Sequence, residues 1–138
     1  MEAFPVRILA ADRTFYDGMC ESLTITTSDG EQGILAHHSD MIAAVSPGVL
    51  HYRAPGEPMR VAAVSPGMLT VENGVVLVLV DSAEYPEEID AARAKREADE
   101  AREAILQQKS RQEYQLAQAS LARALNRLRV KSGGFGGA

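Results

Sequence analysis

Residues 73–105 read NGVVLVLVDSAEYPEEIDAARAKREADEAREAI. Val75–Val80 is a run of six apolar residues led by Asn73-Gly74. Asn-Gly suits the two positive-φ positions of a tight hairpin turn, so a hairpin is predicted from Leu69–Glu72 into Val75–Val80. That run is apolar on both faces, which predicts a central place in a sheet or one beneath helices. Beyond Pro86 the pattern changes. Ala91, Ala94, Ala98, Ala101 and Ile105 recur at spacings of 3 and 4, one face of a helix. Pro86 fits a first helical turn, and Glu87, Glu88 and Asp90 complement the positive end of the helix dipole. Strand, boundary and helix thus follow one another within a single stretch, which predicts an α+β chain.

Upstream, the same strand chemistry continues. Phe4, Val6 and Ile8 alternate with Pro5 and Arg7, and Leu23 and Ile25 with Thr24 and Thr26. Ser28-Asp29-Gly30 signals a turn. Ala-Val-Ser-Pro-Gly occurs at 44–48 and again at 63–67, each time before an apolar pair, Val49-Leu50 or Met68-Leu69. Pro then Gly suits the centre of a type II turn, so each copy is predicted to be a turn. Regular short strands of this kind predict a sandwich or barrel.

Downstream, Tyr114, Ala117, Leu121, Ala124 and Leu128 form a second stripe, about half a turn out of phase with the first on a continuous helix. Two helices with a turn near Gln107–Ser110 are predicted, with one long helix as the alternative. The expected organisation is a β domain over 1–86, an antiparallel helical hairpin over 87–131 and a flexible Gly-rich tail over 132–138. The stripes are mostly alanine, which buries little area, so the hairpin should depend on its docking surface and could exchange one surface for another.

The 138 residues are 46% apolar and 24% charged, a globular composition. The net charge of −5 argues against a general nucleic-acid coat. Cys20 is the single cysteine, which suits a reducing compartment. No apolar run approaches the ~20 residues of a membrane helix, and Glu2, Arg7, Asp12 and Arg13 interrupt any signal-peptide core. A chain that stays soluble on the side of the membrane where it was made is expected.

His37, His38 and His51 match no zinc spacing, and Ser39 and Asp40 beside His38 lack a nucleophile-elbow pattern. No Walker or dinucleotide loop is present. No metal, no required cofactor and no catalytic residue are assigned. The helices offer more. Arg123 and Arg127 share one face, and Asp90 and Arg93 lie near the start of the other helix. Folded back, these guanidiniums would converge near Asp90 and Glu84, and guanidinium forks match phosphate oxygens. The alternative is a solvated face of intrahelical ion pairs. Residues 87–106 carry a net −3 and residues 110–138 a net +4. The basic second helix would pair with the first or seek an acidic protein partner, in preference to nucleic acid.

The order of several motifs resembles the epsilon subunit family of bacterial F-type ATP synthase. Asp29-Gly30-Glu31-Gln32-Gly33-Ile34-Leu35 is similar to its acidic-Gly-Glu-x-Gly-Ile-Leu signature. Pro47-Gly48-Val49 is similar to its Pro-Gly before a strand, and Val71 to Ala83 to its closing strand. Ile89-Asp90-Ala91-Ala92-Arg93-Ala94 matches its Ile/Leu-Asp-x-x-Arg-Ala motif. Arg123-Ala124-Leu125-Asn126-Arg127-Leu128 matches the Arg-x-x-x-Arg face of its second helix.

The resemblance implies an antiparallel sandwich of about ten strands followed by a two-helix hairpin. It implies a non-catalytic rotor subunit coupling proton flow to ATP synthesis, with the gamma subunit, the c-subunit ring and the beta and alpha subunits as partners. Its place would be peripheral, on the cytoplasmic face of the cell membrane, held there only through the complex. A mobile hairpin would inhibit ATP hydrolysis. ATP would be a regulatory ligand at Glu84, Asp90, Arg93, Arg123 and Arg127. Glu31, His38, Arg123, Arg127 and Arg129 become candidate partner contacts. One departure stands out. Where the family has Pro-Gly-His-x-Pro, this chain has Ala36-His37-His38-Ser39-Asp40, which predicts an altered loop. A free-standing ATP-sensing module of the same fold is the alternative function.

Overall fold

The computed structural model describes residues 1–107 and 110–133. The chain divides into two units, one ending at Tyr85 and the other starting at Pro86.

The first unit is a curled sheet of nine strands: β1 Phe4–Ala10, β2 Thr14–Cys20, β3 Ser22–Thr27, β4 Gly30–Ile34, β5 Met41–Arg53, β6 Arg60–Val64, β7 Gly67–Glu72, β8 Val75–Val80 and β9 Ala83–Glu84. They are hydrogen-bonded in the order β2-β1-β8-β7-β5-β3-β4, and β6 pairs with both β5 and β9. The alternating residues read from the sequence point inward. Val6, Ile8, Leu23, Ile25, Leu50, Leu69, Val76 and Val78 are buried in one core. β8 is central, between β1 and β7. Asn73 (φ 51°) and Gly74 (φ 78°) form the turn before it, as Asn-Gly chemistry requires.

The structure corrects two expectations about the strands. The sandwich is not wholly antiparallel, because β1 and β8 run parallel, from Val6 opposite Val76 to Ala10 opposite Val80. Chain-distant strands meet there, and only the three-dimensional path fixes their relative direction. The second correction explains why there are nine strands rather than about ten. The first Ala-Val-Ser-Pro-Gly copy is not a turn: it lies inside the 13-residue β5. β5 pairs with β7 along its first half, Met41–Val45, and with β6 along its second, Gly48–Tyr52. The second copy joins β6 to β7. The two copies therefore lie antiparallel across from each other, with Val45 opposite Gly67 and Gly48 opposite Val64.

At this paired repeat β5 exchanges β7 for β6 as its partner. Proline supplies no N–H to a ladder, which suits a place where pairing changes partner. The glycines are demanded by close approach and not by a turn angle. A Cβ at Gly67 would lie 1.9 Å from the Leu79 carbonyl oxygen, and one at Gly48 would lie 2.5 Å from Thr26 Oγ1.

An aromatic cluster fastens the last strand of this unit. Phe15 and Tyr85 have ring centroids 4.4 Å apart, and the Tyr52 and Tyr85 hydroxyls are 2.6 Å apart. The Arg60 guanidinium lies 4.0 Å above the Tyr85 ring, and Arg13 Nη2 donates to the Ala83 carbonyl at 2.8 Å. Burial pushes the neighbouring Tyr16 hydroxyl up to about 12 and the Cys20 thiol up to about 11. Burial, followed by the Tyr85 hydrogen bond, also raises Tyr52.

The second unit begins with a short 3-10 turn, Pro86–Glu88, followed by α1 Ala91–Gln107 and α2 Arg111–Lys131. Pro86 thus opens a separate turn and not the first turn of α1. Asp90 caps α1, its Oδ1 accepting from the Arg93 N–H at 3.0 Å. Two helices form and not one. Ser110 is extended (φ −156°, ψ 162°) and its hydroxyl accepts from the Glu113 N–H at 3.1 Å. The Ser110-x-x-Glu113 spacing is that of a capping box, a start signal present in the sequence. Gln108 and Lys109 of the predicted turn, and residues 134–138 of the predicted flexible tail, lie outside the described residues. α2 ends at Ser132 and Gly133, whose N–H groups donate to the Leu128 and Val130 carbonyls.

The helices lie antiparallel. Lys131 Nζ, at the end of α2, donates to the Pro86 carbonyl at 3.0 Å. Ala94, Ala98 and Ala101 of α1 and Ala117 and Ala124 of α2 are buried. Ala91 is exposed, and Ile105, Tyr114, Leu121 and Leu128 are only half-buried, so the closed part of the seam is narrower than the stripes predict.

Candidate functional site

The helical unit brings two of the predicted arginines to one point. Arg93 Nε lies 3.1 Å from Glu97 Oε1, and Arg127 Nη1 lies 3.3 Å from Glu97 Oε2. Arg93 and Glu97 are one turn apart on α1, and Arg127 reaches them from α2. The Arg127 side chain is 20% exposed and Arg93 is 66% exposed, so one guanidinium is set into the hairpin and the other faces water. Asp90 sits one turn before Arg93 and is engaged as the cap of α1. Arg123 is exposed, one turn before Arg127 on the same face. Glu84 belongs to the other unit, on β9 opposite Ala63. Arg129 Nη2 donates to Oδ1 of the buried Asn126 at 2.7 Å.

Glu97 is absent from the set derived from sequence. Its sequence signal is only an i, i+4 pairing with Arg93, one of several on α1, and it gains weight only when α2 folds back. Chemically, the cluster is a pair of guanidinium forks from two helices sharing one anion, a geometry suited to binding a phosphate.

In the sandwich unit, Glu31 is exposed on β4, opposite Thr26. His38 Nδ1 lies 2.7 Å from the Ser39 carbonyl oxygen, and His37 Nε2 lies 2.6 Å from Glu2 Oε2. Asp40 Oδ1 accepts from the Asn73 N–H at 2.9 Å, tying this loop to the hairpin turn before β8. His51 lies on β5, between Thr24 and Val61. Among the described residues no three His, Cys, Asp or Glu side chains gather as a metal site.

The sheet also presents an outward apolar face. Leu9 of β1 pairs with Leu79 of β8, Leu79 with Met68 of β7, and Met68 with Ala44 of β5. These side chains lie in one row across four strands, with Ile42 and Val75 on the same face. Ile42 is 76% exposed, Met68 47% and Leu79 41%. Apolar patches on a sheet surface are a feature of interaction sites.

Comparison with known proteins joins the two units. Residues 3–86 match the family model described as ATP synthase, Delta/Epsilon chain, beta-sandwich domain. Residues 87–132 match ATP synthase, Delta/Epsilon chain, long alpha-helix domain. The chain is 40% identical over 128 residues to the ATP synthase epsilon chain of Ruminiclostridium cellulolyticum, covering 93% of this chain and 95% of that one. The chain belongs to the ATP synthase epsilon-chain family.

A second epsilon chain, from Caldanaerobacter subterraneus subsp. tengcongensis, is 38% identical over 132 residues, covering 95% of each chain. The fold is shared with a chain of the Euglena gracilis mitochondrial ATP synthase OSCP/F1/c-ring structure. There the TM-score is 0.78 at 24% identity, covering 90% of this chain and 78% of that one. A chain of the Tetrahymena thermophila mitochondrial ATP synthase central stalk/c-ring structure gives a TM-score of 0.60 at 12% identity, covering 92% of this chain and 95% of that one.

In the Ala36–Asp40 loop of this epsilon-family chain, His37 has φ 64°, in the left-handed region. A glycine enters that region freely, whereas a residue with a Cβ is strained there by about 1–2 kcal/mol.

Proposed function

We propose that this chain is the non-catalytic central-stalk subunit of a proton-translocating ATP synthase, coupling proton flow to ATP synthesis. Its sandwich docks on the gamma subunit and the c-subunit ring, and its helical hairpin regulates ATP hydrolysis at the beta and alpha subunits. The observation that carries the docking half is the apolar row Leu9–Leu79–Met68–Ala44 with Ile42 beside it. A soluble monomer gains nothing from exposing such a row, whereas a permanent subunit buries it. Glu31 and His38 are further candidate contacts, as are Arg123, Arg127 and Arg129 on the basic helix. No described helix is long and apolar enough to cross a membrane. In this reading the chain meets the cytoplasmic face of the cell membrane only through the complex.

The regulatory half rests on the arginine pair. ATP, as a regulatory ligand and not a required cofactor, takes its phosphates onto Arg93 and Arg127. Arg123 lies one turn before Arg127, and Asp90, whose Oδ1 caps α1, is the candidate for the sugar or base. Bound ATP would favour the folded hairpin by RT ln(1 + [ATP]/Kd), about 2.7 kcal/mol at a hundredfold excess over Kd.

Co-purification of the chain with its own gamma subunit tests the docking half. The wild-type chain should form a stable complex. Met68→Asp with Leu79→Asp should remain folded and lose it. A retained complex would remove the docking role of this face, and no complex from the wild type would remove the rotor reading. Calorimetric titration with ATP tests the regulatory half, with binding expected in the wild type and lost in Arg93→Ala and Arg127→Ala.

A further inference from the structure

We propose that Glu97 is a built-in competitor for the nucleotide phosphate, an internal anion that holds the arginine pair until ATP displaces it. The inference rests on the nucleotide reading above and adds a regulatory element to that site. The carboxylate spans the two guanidiniums as a phosphate would: Oε1 faces Arg93 Nε at 3.1 Å and Oε2 faces Arg127 Nη1 at 3.3 Å. Each carboxylate oxygen thus engages a different helix. An incoming phosphate needs the same two forks, and a carboxylate left among them would repel it.

Helix chemistry alone does not account for the arrangement. With the arginine N-terminal to the glutamate, the i, i+4 order is the weaker one for a helical ion pair. The contact to Arg127, thirty positions away, is what places Glu97 between the helices. The side chain also has somewhere to go. Towards the end where α1 finishes and α2 begins, it borders a groove lined by Glu100, Ala101, Glu113, Leu116 and Ala117. Swinging into that groove brings Glu97 nearer to Glu100 and Glu113. Like charges oppose the move, so Glu97 returns when the phosphate leaves. The device raises the ATP concentration at which the site fills, without altering the arginines themselves.

The test is calorimetric titration of the full chain with MgATP, comparing wild type with Glu97→Gln, which keeps the shape and removes the charge. Glu97→Ala serves as a second variant, and far-UV melting confirms that each variant folds. Glu97→Gln should bind ATP about three- to tenfold more tightly, and Arg127→Ala should not bind. Equal affinity in wild type and Glu97→Gln would overturn the competitor role and leave the nucleotide site standing. Weaker binding by both Glu97 variants would also overturn it, making Glu97 a residue that positions the arginines. No binding by wild type or by either Glu97 variant would overturn the nucleotide reading, and the competitor with it.

Discussion

In the sandwich, Ile8, Leu23, Ile25, Leu50 and Leu69 are buried together in one core, whereas every buried side chain on α1 is an alanine. Burying a leucine contributes about 1.5–3 kcal/mol, and a methyl group alone under about 1 kcal/mol. The sandwich is also stitched by backbone pairing between distant strands, while each helix satisfies its own backbone. One unit is therefore a rigid platform and the other a module whose packed state is only slightly favoured. Small energies, such as one bound phosphate or one displaced carboxylate, matter to the second and are negligible to the first. That contrast is what the proposed reading draws on when it assigns docking to the sandwich and regulation to the hairpin.

The comparison is broken most directly by matched truncations. Leu69→Ala should destabilise the sandwich by about 2–5 kcal/mol, while Ala98→Gly should destabilise the helical unit by only about 1–2 kcal/mol. Thermal melts followed at strand and helix wavelengths measure both, and equal losses would erase the distinction. Alkaline titration sharpens it next. Tyr16 and Cys20 rise from 10.0 and 9.0 to about 12 and about 11 on folding, and Tyr52 rises as well. Their contribution is intact below the unfolded values and is lost as pH climbs through the folded ones. The sandwich should therefore weaken between about pH 9 and 12, in step with tyrosinate absorbance at 295 nm. A smaller effect follows from the helix start: Ser110→Ala should lower the helical transition by about 1 kcal/mol and leave the strand signal unmoved. Smallest, and of opposite sign, His37→Gly should stabilise the sandwich by somewhat under about 1 kcal/mol in denaturant titration, because glycine accepts φ 64° and the exposed Glu2 contact contributes little.

Much of this contrast is legible in the residues. The period-2 alternation of Phe4–Ile8 and Leu23–Thr26, the Asn73-Gly74 turn and the alanine stripes are local patterns, and local patterns encode local structure. Ser110 and Glu113 likewise mark the start of α2 within four residues. The change of partner at Pro47-Gly48 is a different kind of fact. Pro-Gly is compatible with a turn and with a place inside a strand, and the choice is made by distant partners. For the second copy, it is the Leu79 carbonyl that leaves no room for a Cβ at Gly67. The parallel pairing of β1 with β8 is equally non-local. So is the candidate site: Arg93 and Arg127 can be singled out by motif, but Glu97 is one of seven acids in residues 87–106 until α2 returns to meet it.

Native-state hydrogen exchange on the intact chain, with and without MgATP, tests the central claim most directly. Without nucleotide, the amides of α1 and α2 should exchange at lower free energy than those of β1, β5, β7 and β8. MgATP should slow the helical amides while leaving the strands unchanged. Equal protection of helices and strands, moving together when ATP is added, would contradict the division into a rigid platform and a marginal module.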